Sequence, residues 1–214
     1  DVTRFMSHPN ATFAQLLAAV TQGQTPLELY GLTPAALAWT LGRLWLELRR
    51  PAVLVVPTAR QQTSFYRDLQ FFLAGYDEAA PENRQNVLYT FPGYENLPFA
   101  ELTPDVQTAS ARLEAAYTLS TQRGCPILIA TAAALQQPLP PRDRLAAMTE
   151  YLVAGEELDR EKFLVYLEAG GYTRRPLVEE RGEYSVRGGV LDFFPPLSFH
   201  PIRLEFWGDS IESI

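Results

Sequence analysis

RGEYSVRGGVLDFFPP (residues 181–196) and RLEFWGDSIESI (residues 203–214) together predict four short β-strands. The first strand alternates polar and apolar side chains and stops at Gly188-Gly189, a pair that can adopt the positive φ of a tight turn. The second is apolar and ends at Pro195-Pro196, which cannot continue a central ladder. The third alternates again and turns at Gly208-Asp209 into the last. The pattern therefore predicts a small antiparallel sheet.

Two arginines and an indole stand out on these strands. Because side chains alternate between the faces of a strand, Arg187 and Arg203 can lie on strand faces beside aromatic residues such as Trp207. A guanidinium held on a rigid sheet next to an indole favours recognition, since it pairs with carboxylates and stacks on rings. The local pattern leaves a second interpretation open, in which the arginines are merely solvated and the aromatic residues form the core.

The first two thirds of the chain predict an α/β domain with a mostly parallel sheet. Thr33-Pro34 is a cap and first-turn pair that opens a helix over residues 35–49. The apolar run 52–56 suits a buried parallel strand, and further strands are predicted at 86–91 and 127–130, with helices between them. The composition changes after a proline-rich stretch, which divides the chain into residues 1–146 and a small α+β domain with antiparallel strands, residues 147–214.

Composition excludes several classes of function. The 214 residues carry a formal net charge of −7, which argues against nucleic-acid binding by the whole chain through phosphate neutralisation. The single cysteine, Cys125, cannot form an internal disulfide. No apolar stretch approaches the length of a membrane span, so the expected compartment is the cytoplasm.

The start of this helix can be aligned with the sequence pattern of a nucleotide-binding loop, but it lacks the residues that bind the nucleotide. When the pattern G-x-x-x-x-G-K-[ST] begins at Gly31, its second glycine becomes Ala36, its lysine Leu37 and its hydroxyl residue Ala38. These losses remove the cation for the β- and γ-phosphates and the Mg²⁺ ligand, and Pro34 removes a backbone N–H from the cradle. We expect no nucleotide binding at this loop, and the sequence contains no catalytic or metal-binding constellation.

The four-strand signature resembles the UvrA-interaction domain shared by the repair helicase UvrB and the transcription-repair coupling factors. A second stretch, from Phe91 through Tyr94 to an aspartate loop and then Arg112-Leu113, is similar to the coupling factors. UvrB has a long DNA-inserting hairpin in that region, for which this chain has no room, and UvrB also keeps the nucleotide loop. The resemblance therefore implies the N-terminal, UvrB-like module of a coupling factor. We expect a degenerate, RecA-type helicase-like domain followed by a UvrA-interaction domain that is truncated at its C-terminus.

The resemblance also implies a function, partners and a site. The module would recruit UvrA to stalled transcription complexes for nucleotide excision repair, without hydrolysing ATP and without a cofactor. ATP and magnesium would serve the translocase motor of the parent protein, whose other domains would contact RNA polymerase and DNA and whose C-terminal domain can mask the UvrA-binding face. The positions that match the family's UvrA contacts are Arg187, Arg203 and Trp207, where the coupling factors usually have phenylalanine in place of the tryptophan. Residues of a second tier are Glu183, Glu205 and Asp209.

Two other functions stay open. An ATP-dependent repair helicase of the UvrB type would need the missing lysine, hydroxyl residue and hairpin, so tight binding of Mg²⁺-ATP would favour it. Sequence-independent DNA binding is opposed by the acidic balance, and a strongly salt-dependent shift of duplex DNA would support it.

Overall fold

The computed structural model describes residues 12–77, 87–94, 105–121 and 125–214, and for residues 75–77 the backbone alone. The chain folds as two compact units. One comprises Asp1–Phe91 with Gln122–Ala133, and the other comprises Pro92–Thr121 with Ala134–Ile214. Asn86 of the second predicted strand and the segment 95–104 of the coupling-factor-like stretch lie outside the described residues.

Three helices lie wholly in the first unit among the described residues. They are α1 (Phe13–Thr21), α2 (Pro34–Leu48) and α3 (Ala59–Asp77). Helix α2 begins where its capping pair predicts. The hydroxyl of Thr33 accepts a hydrogen bond from the backbone N–H of Ala36 at 3.3 Å, which satisfies one of the orphan donors at the start of α2. Helix α2 ends at Arg49, which adopts the left-handed conformation with φ +49°. The predicted helix over residues 35–49 is thus confirmed to within one residue at each end.

The first unit contains a three-stranded parallel sheet. Its strands are β1 (Ala52–Val56), β2 (Leu88–Phe91) and β3 (Ile127–Thr131), and their order in the sheet is β1-β3-β2. Ile127 and Ile129 of β3 are fully buried. They form one core cluster with Ala38 of α2 and Leu69 of α3, which are also fully buried. The Nε1–H of Trp45 donates to the carbonyl of Cys125 at 2.6 Å and anchors α2 to the strand. The predicted α/β class with a parallel sheet is confirmed.

Strand β1 corrects one prediction. Its apolar run indicates burial on both faces, but its burial alternates, and Val53 and Val55 are 54% and 50% exposed. The reason is position: β1 lies at an edge of the sheet, and only the face bearing Leu54 and Val56 packs into the core of this unit in the described part of the chain.

Among the described residues, the second unit contains a five-stranded mixed sheet and four helices. The helices are α4 (Val106–Thr121), α5 (Ala132–Leu135), α6 (Arg142–Ala147) and α7 (Arg160–Ala169). The first residues of α5 still belong to the first unit. The strands are β4 (Thr173–Arg174), β5 (Glu183–Arg187), β6 (Val190–Phe193), β7 (Ile202–Trp207) and β8 (Ser210–Ser213), in sequential order across the sheet. The four predicted strands are confirmed as β5 to β8, and all their pairings are antiparallel. Neither the short parallel strand β4 nor helix α6 was predicted.

One face of this sheet forms the core of the unit together with α7. Leu191 and Leu204 are fully buried there, and each contributes roughly 2–3 kcal/mol of apolar burial. The β5–β6 turn holds this packing tightly, because Gly188 adopts φ +59° and a Cβ on Gly189 would lie 2.9 Å from the carbonyl oxygen of Phe206. The turn therefore needs glycine at both positions. Because one face of the sheet is packed, the opposite face of β5–β7 carries polar side chains.

A buried arginine fixes the loops at the other end of this unit. Arg112 donates to the carbonyls of Pro92 and Pro138 at 2.8 and 3.3 Å and to Oε1 of Gln137 at 3.2 Å. Its guanidinium lies 4.5 Å from the ring centroid of Tyr94. Arg112 therefore ties the segment of Pro92 and Tyr94 to that of Gln137 and Pro138.

Candidate functional site

The candidate site is the polar face of strands β5, β6 and β7. We call it the outer face and define it by five residues, Arg187, Asp192, Arg203, Glu205 and Trp207. Strand register brings them together: Asp192 pairs with Arg203, and Val190 pairs with both Arg187 and Glu205. Along β7 the buried Leu204 and Phe206 alternate with the exposed Arg203, Glu205 and Trp207. Period-two alternation therefore puts all five on the side opposite the core.

The two predicted arginines converge on one carboxylate. Arg203 donates from Nε to Oδ1 of Asp192 at 2.7 Å and from Nη2 to Oδ2 at 2.9 Å, a bidentate pair. Arg187 donates from Nη2 to the same Oδ2 at 3.1 Å. The guanidinium groups of β5 and β7 thus meet over the middle strand β6.

Both guanidinium groups face solvent, whereas the carboxylate does not. The side chains of Arg187 and Arg203 are 57% and 59% exposed, and that of Asp192 is 11% exposed. Trp207 is 82% exposed and follows Arg203 by four residues, about 13 Å along the strand. The structure therefore brings the three predicted residues to one exposed face, with neither arginine turned into the core.

Asp192 is the member of this face that the sequence interpretation missed. Asp192 is a lone carboxylate in the apolar run of β6. This isolated charge was the sequence signal that could have identified it. Counting outward from the two-residue turn pairs Arg187 with Val190 and then Ser185 with Asp192, which places the carboxylate on the face of Arg187. The pairing of Asp192 with Arg203 depends in addition on the β6–β7 register, which the eight residues between the strands leave open.

The electrostatics of the cluster follow from its hydrogen bonds. The bonds donated by Arg203, and secondarily those of Arg187, lower the pKa of Asp192 from its ordinary value of 3.8 against the opposing effect of burial. The same carboxylate raises the pKa of Arg203. Asp192 is therefore ionised near neutral pH, and the cluster of two cations and one anion keeps a net positive charge.

The second-tier residues have different surroundings. Glu183 pairs with neither Arg187 nor Arg203: its carboxylate accepts from the backbone N–H groups of Glu179 and Glu180, each at 3.0 Å, and from Nε of Arg175 at 3.2 Å. These backbone bonds, more than Arg175, lower the pKa of Glu183. Its observed role is therefore to hold the loop before β5.

The other two second-tier residues lie at the far end of β7. Glu205 is exposed on the outer face and accepts a hydrogen bond from the hydroxyl of Ser213 at 3.0 Å. Asp209 is exposed in the β7–β8 turn, where its carbonyl accepts from the backbone N–H of Leu158 at 2.8 Å. The structure therefore shows both residues exposed, and neither is paired with Arg187.

At the degenerate loop, which lies at the start of α2, side chains pack into the core of the first unit. Gly31 adopts φ +78° in the segment before the helix, Ala36 is half-buried, Leu37 packs against the core of the first unit, and Ala38 is fully buried. A functional nucleotide loop follows a strand, and no strand occurs among residues 12–33. The element that precedes α2 is helix α1.

The described residues contain neither a metal-binding cluster nor a membrane-spanning helix. No group of three or more His, Cys, Asp or Glu side chains in these ranges could hold a metal ion. None of the described helices has both the length and the apolar character of a membrane-crossing segment.

Comparison with known proteins identifies relatives of this chain. Residues 151–214, which include the outer face, match the family model of the UvrB interaction domain. A transcription-repair-coupling factor of Myxococcus xanthus is 36% identical over 203 residues, which cover 94% of this chain and 16% of that protein. The coupling factor of Escherichia coli is 33% identical over 184 residues, or 86% of this chain and 15% of that protein. UvrABC system protein B of Thermosipho africanus is 24% identical over 210 residues, which cover 94% of this chain and 30% of that protein.

These relatives are much longer than the chain described here. The chain spans about one sixth of the length of the coupling factors that it matches, 15% to 16%. The similarity thus concerns one segment of those proteins, and that segment includes both the parallel sheet and the outer face.

Proposed function

We propose that this chain, which is homologous to one segment of the transcription-repair-coupling factors and carries a UvrB interaction domain in residues 151–214, recruits UvrA through the outer face. The contact would bring the nucleotide excision repair machinery to stalled transcription complexes. The observation that supports this most is the exposed cluster in which Arg187 and Arg203 share Asp192 beside the exposed Trp207.

The chemistry of the outer face suits a protein partner. Arginine and tryptophan are enriched at the energetic centres of interfaces, where an arginine fork binds carboxylates and an indole buries a large flat area. Arg187, Arg203 and Asp192 together keep a net positive charge on a chain whose formal net charge is −7, and the exposed Glu205 balances that charge over the outer face as a whole. Carboxylates of UvrA would complement the two exposed guanidinium groups.

The first unit would serve as a scaffold. We infer that its parallel sheet belongs to a degenerate, RecA-type helicase-like domain over residues 1–146, which also takes in residues 92–121 and 134–146 of the second unit. The UvrA-interaction domain would cover residues 147–214. The absence of lysine and of a hydroxyl residue at Leu37 and Ala38, together with the burial of those positions, supports a chain that binds no nucleotide and hydrolyses no ATP.

The parent protein would supply the remaining activities. We propose that its motor, with ATP and Mg²⁺, translocates on DNA, that other domains contact RNA polymerase and DNA, and that its C-terminal domain covers the outer face until UvrA is needed. These assignments rest on homology to coupling factors that are about six times as long as this chain.

A direct titration tests the proposed function. The chain is titrated with purified UvrA by calorimetry, and in parallel with Mg²⁺-ATP. We expect saturable binding of UvrA with a stoichiometry near one per site and no heat from Mg²⁺-ATP. Absence of UvrA binding contradicts recruitment, whereas tight Mg²⁺-ATP binding favours the alternative, an ATP-dependent repair helicase of the UvrB type.

A further inference from the structure

The arrangement of the cluster differs from that of an ordinary surface ion pair. A surface pair joins two exposed, mobile groups and contributes little to stability. Here the anion is nearly buried in the middle strand of the sheet, and the two cations reach it from the strands on either side. Asp192 takes two of the five N–H donors of Arg203 and one of those of Arg187, while the rest of each group faces solvent.

The physical effect of this arrangement is to order two long side chains before a partner arrives. A free arginine loses about 2 kcal/mol of rotamer entropy when it is fixed. Binding that must fix two arginines is weakened by that loss, and binding to side chains already fixed is not. Aspartate is suited to this role because its short side chain leaves its oxygens close to the backbone of β6, whose position is set by two strand neighbours.

We propose that Asp192 is the positioning residue of the UvrA contact: it holds Arg187 and Arg203 at a fixed spacing and orientation, so that a pair of carboxylates on the partner meets two ordered guanidinium groups. This inference rests on the proposed function of the outer face. It assigns Asp192 no direct contact with the partner, because its side chain lies beneath the arginines with 11% of its surface exposed.

The inference separates Asp192 from the other carboxylates near the sheet. Glu183 is engaged with the backbone of residues 179 and 180, and Glu205 accepts from Ser213. Of the carboxylates whose contacts the structure describes, Asp192 is the one bonded to both arginines. Replacing it by asparagine keeps the shape and removes the negative charge that both cations share.

A mutant cycle against UvrA tests the positioning role. The affinities of wild type, Asp192→Asn, Arg187→Ala/Arg203→Ala and the triple variant are compared. We expect Asp192→Asn to weaken binding about 5- to 10-fold in the wild-type background and to change nothing when both arginines are already absent, because a positioning residue acts only through them. Asp159→Asn is the matched control: it is the same substitution at an ion-paired aspartate that caps α7, and we expect wild-type affinity.

A spectroscopic signature tests the same role without UvrA. The Arg203 Nε–H, which donates to Asp192 at 2.7 Å, is expected to give a slowly exchanging NMR resonance in the wild type and a rapidly exchanging one in Asp192→Asn. An equal loss of affinity with and without the arginines, an unchanged affinity, or rapid Nε–H exchange in the wild type overturns the positioning role. Failure of the wild type to bind UvrA at all instead overturns the proposed function, and the positioning role of Asp192 with it.

Discussion

The start of α2 and the outer face use their exposed and buried positions in opposite ways. At the helix start, the positions where a nucleotide loop carries its lysine and hydroxyl residue hold Leu37 and Ala38, and both pack into the first unit. On the outer face, two arginines and a tryptophan are exposed on a sheet whose other side forms a packed core. A region built for packing contributes stability, whereas a region that exposes ordered cations and an indole contributes recognition.

The comparison is tested first by restoring the nucleotide loop. Ala36→Gly, Leu37→Lys and Ala38→Thr are combined in one variant. We expect the free energy of unfolding to fall by about 2–5 kcal/mol, because a charged chain replaces a core contact and a larger polar residue replaces a fully buried alanine. Denaturant unfolding measures the loss. Ala35→Lys, on the exposed side of the same turn, is the control and should stay within about 0.5 kcal/mol of wild type.

The restored variant also carries a functional prediction. We expect no Mg²⁺-ATP binding from it, since Pro34 still removes a backbone donor and no strand precedes the helix among residues 12–33. Unchanged stability together with nucleotide binding would show that the loop is a dormant site rather than a packing element.

Trp207 tests the other side of the comparison. Trp207→Ala is expected to weaken UvrA binding by about 2 kcal/mol, roughly 30-fold, because the loss of an exposed indole at an interface centre removes a large contact. The midpoint of thermal unfolding should not move, since the side chain is 82% exposed. Trp207→Phe should retain most of the affinity. Phe199→Ala, another exposed aromatic residue but outside the outer face, is the matched control, and a loss of affinity there equal to that of Trp207→Ala would argue against the assigned face.

The smallest expected effect is a pH dependence of stability. The folded-state pKa of Asp192 is lowered, so its contribution is fully present above the ordinary value of 3.8 and is lost as the pH falls through the lower folded value. The difference in the free energy of unfolding between wild type and Asp192→Asn should therefore shrink as the pH falls from about 5 to about 3, by at most about 1 kcal/mol. The other carboxylates titrate in both proteins, so their contributions cancel when the two free energies of unfolding are subtracted. A difference that stays constant or grows on acidification contradicts the ion-paired state of Asp192.

Local signals account for what the sequence could predict. Strands β5 to β8 are set by glycine and proline positions and by period-two alternation, and α2 by its Thr33-Pro34 start, so short windows contain the information. The two arginines and Trp207 could be assigned to one face for the same reason. Each of these features depends on neighbours only a few residues away.

Features that depend on distant neighbours could not be predicted. The convergence of Arg203 and Asp192 needs the β6–β7 register across an irregular connection, and the half-exposed face of β1 depends on which elements cover the parallel sheet. Glu183 was placed in the second tier of the site by the resemblance, but the backbone N–H groups of residues 179 and 180 bind its carboxylate. Strand β4 was missed because two residues give no periodicity.

The most direct test of the outer face compares two arginines of equal exposure. Arg203 and Arg175 have side chains that are 59% and 56% exposed, and each is paired with one nearly buried carboxylate, but only Arg203 belongs to the outer face. Titration of purified UvrA is predicted to show about a 30-fold loss of affinity for Arg203→Ala and a change of less than about 2-fold for Arg175→Ala. Equal affinities for the two variants, or a larger loss for Arg175→Ala, would contradict recruitment of UvrA through this face.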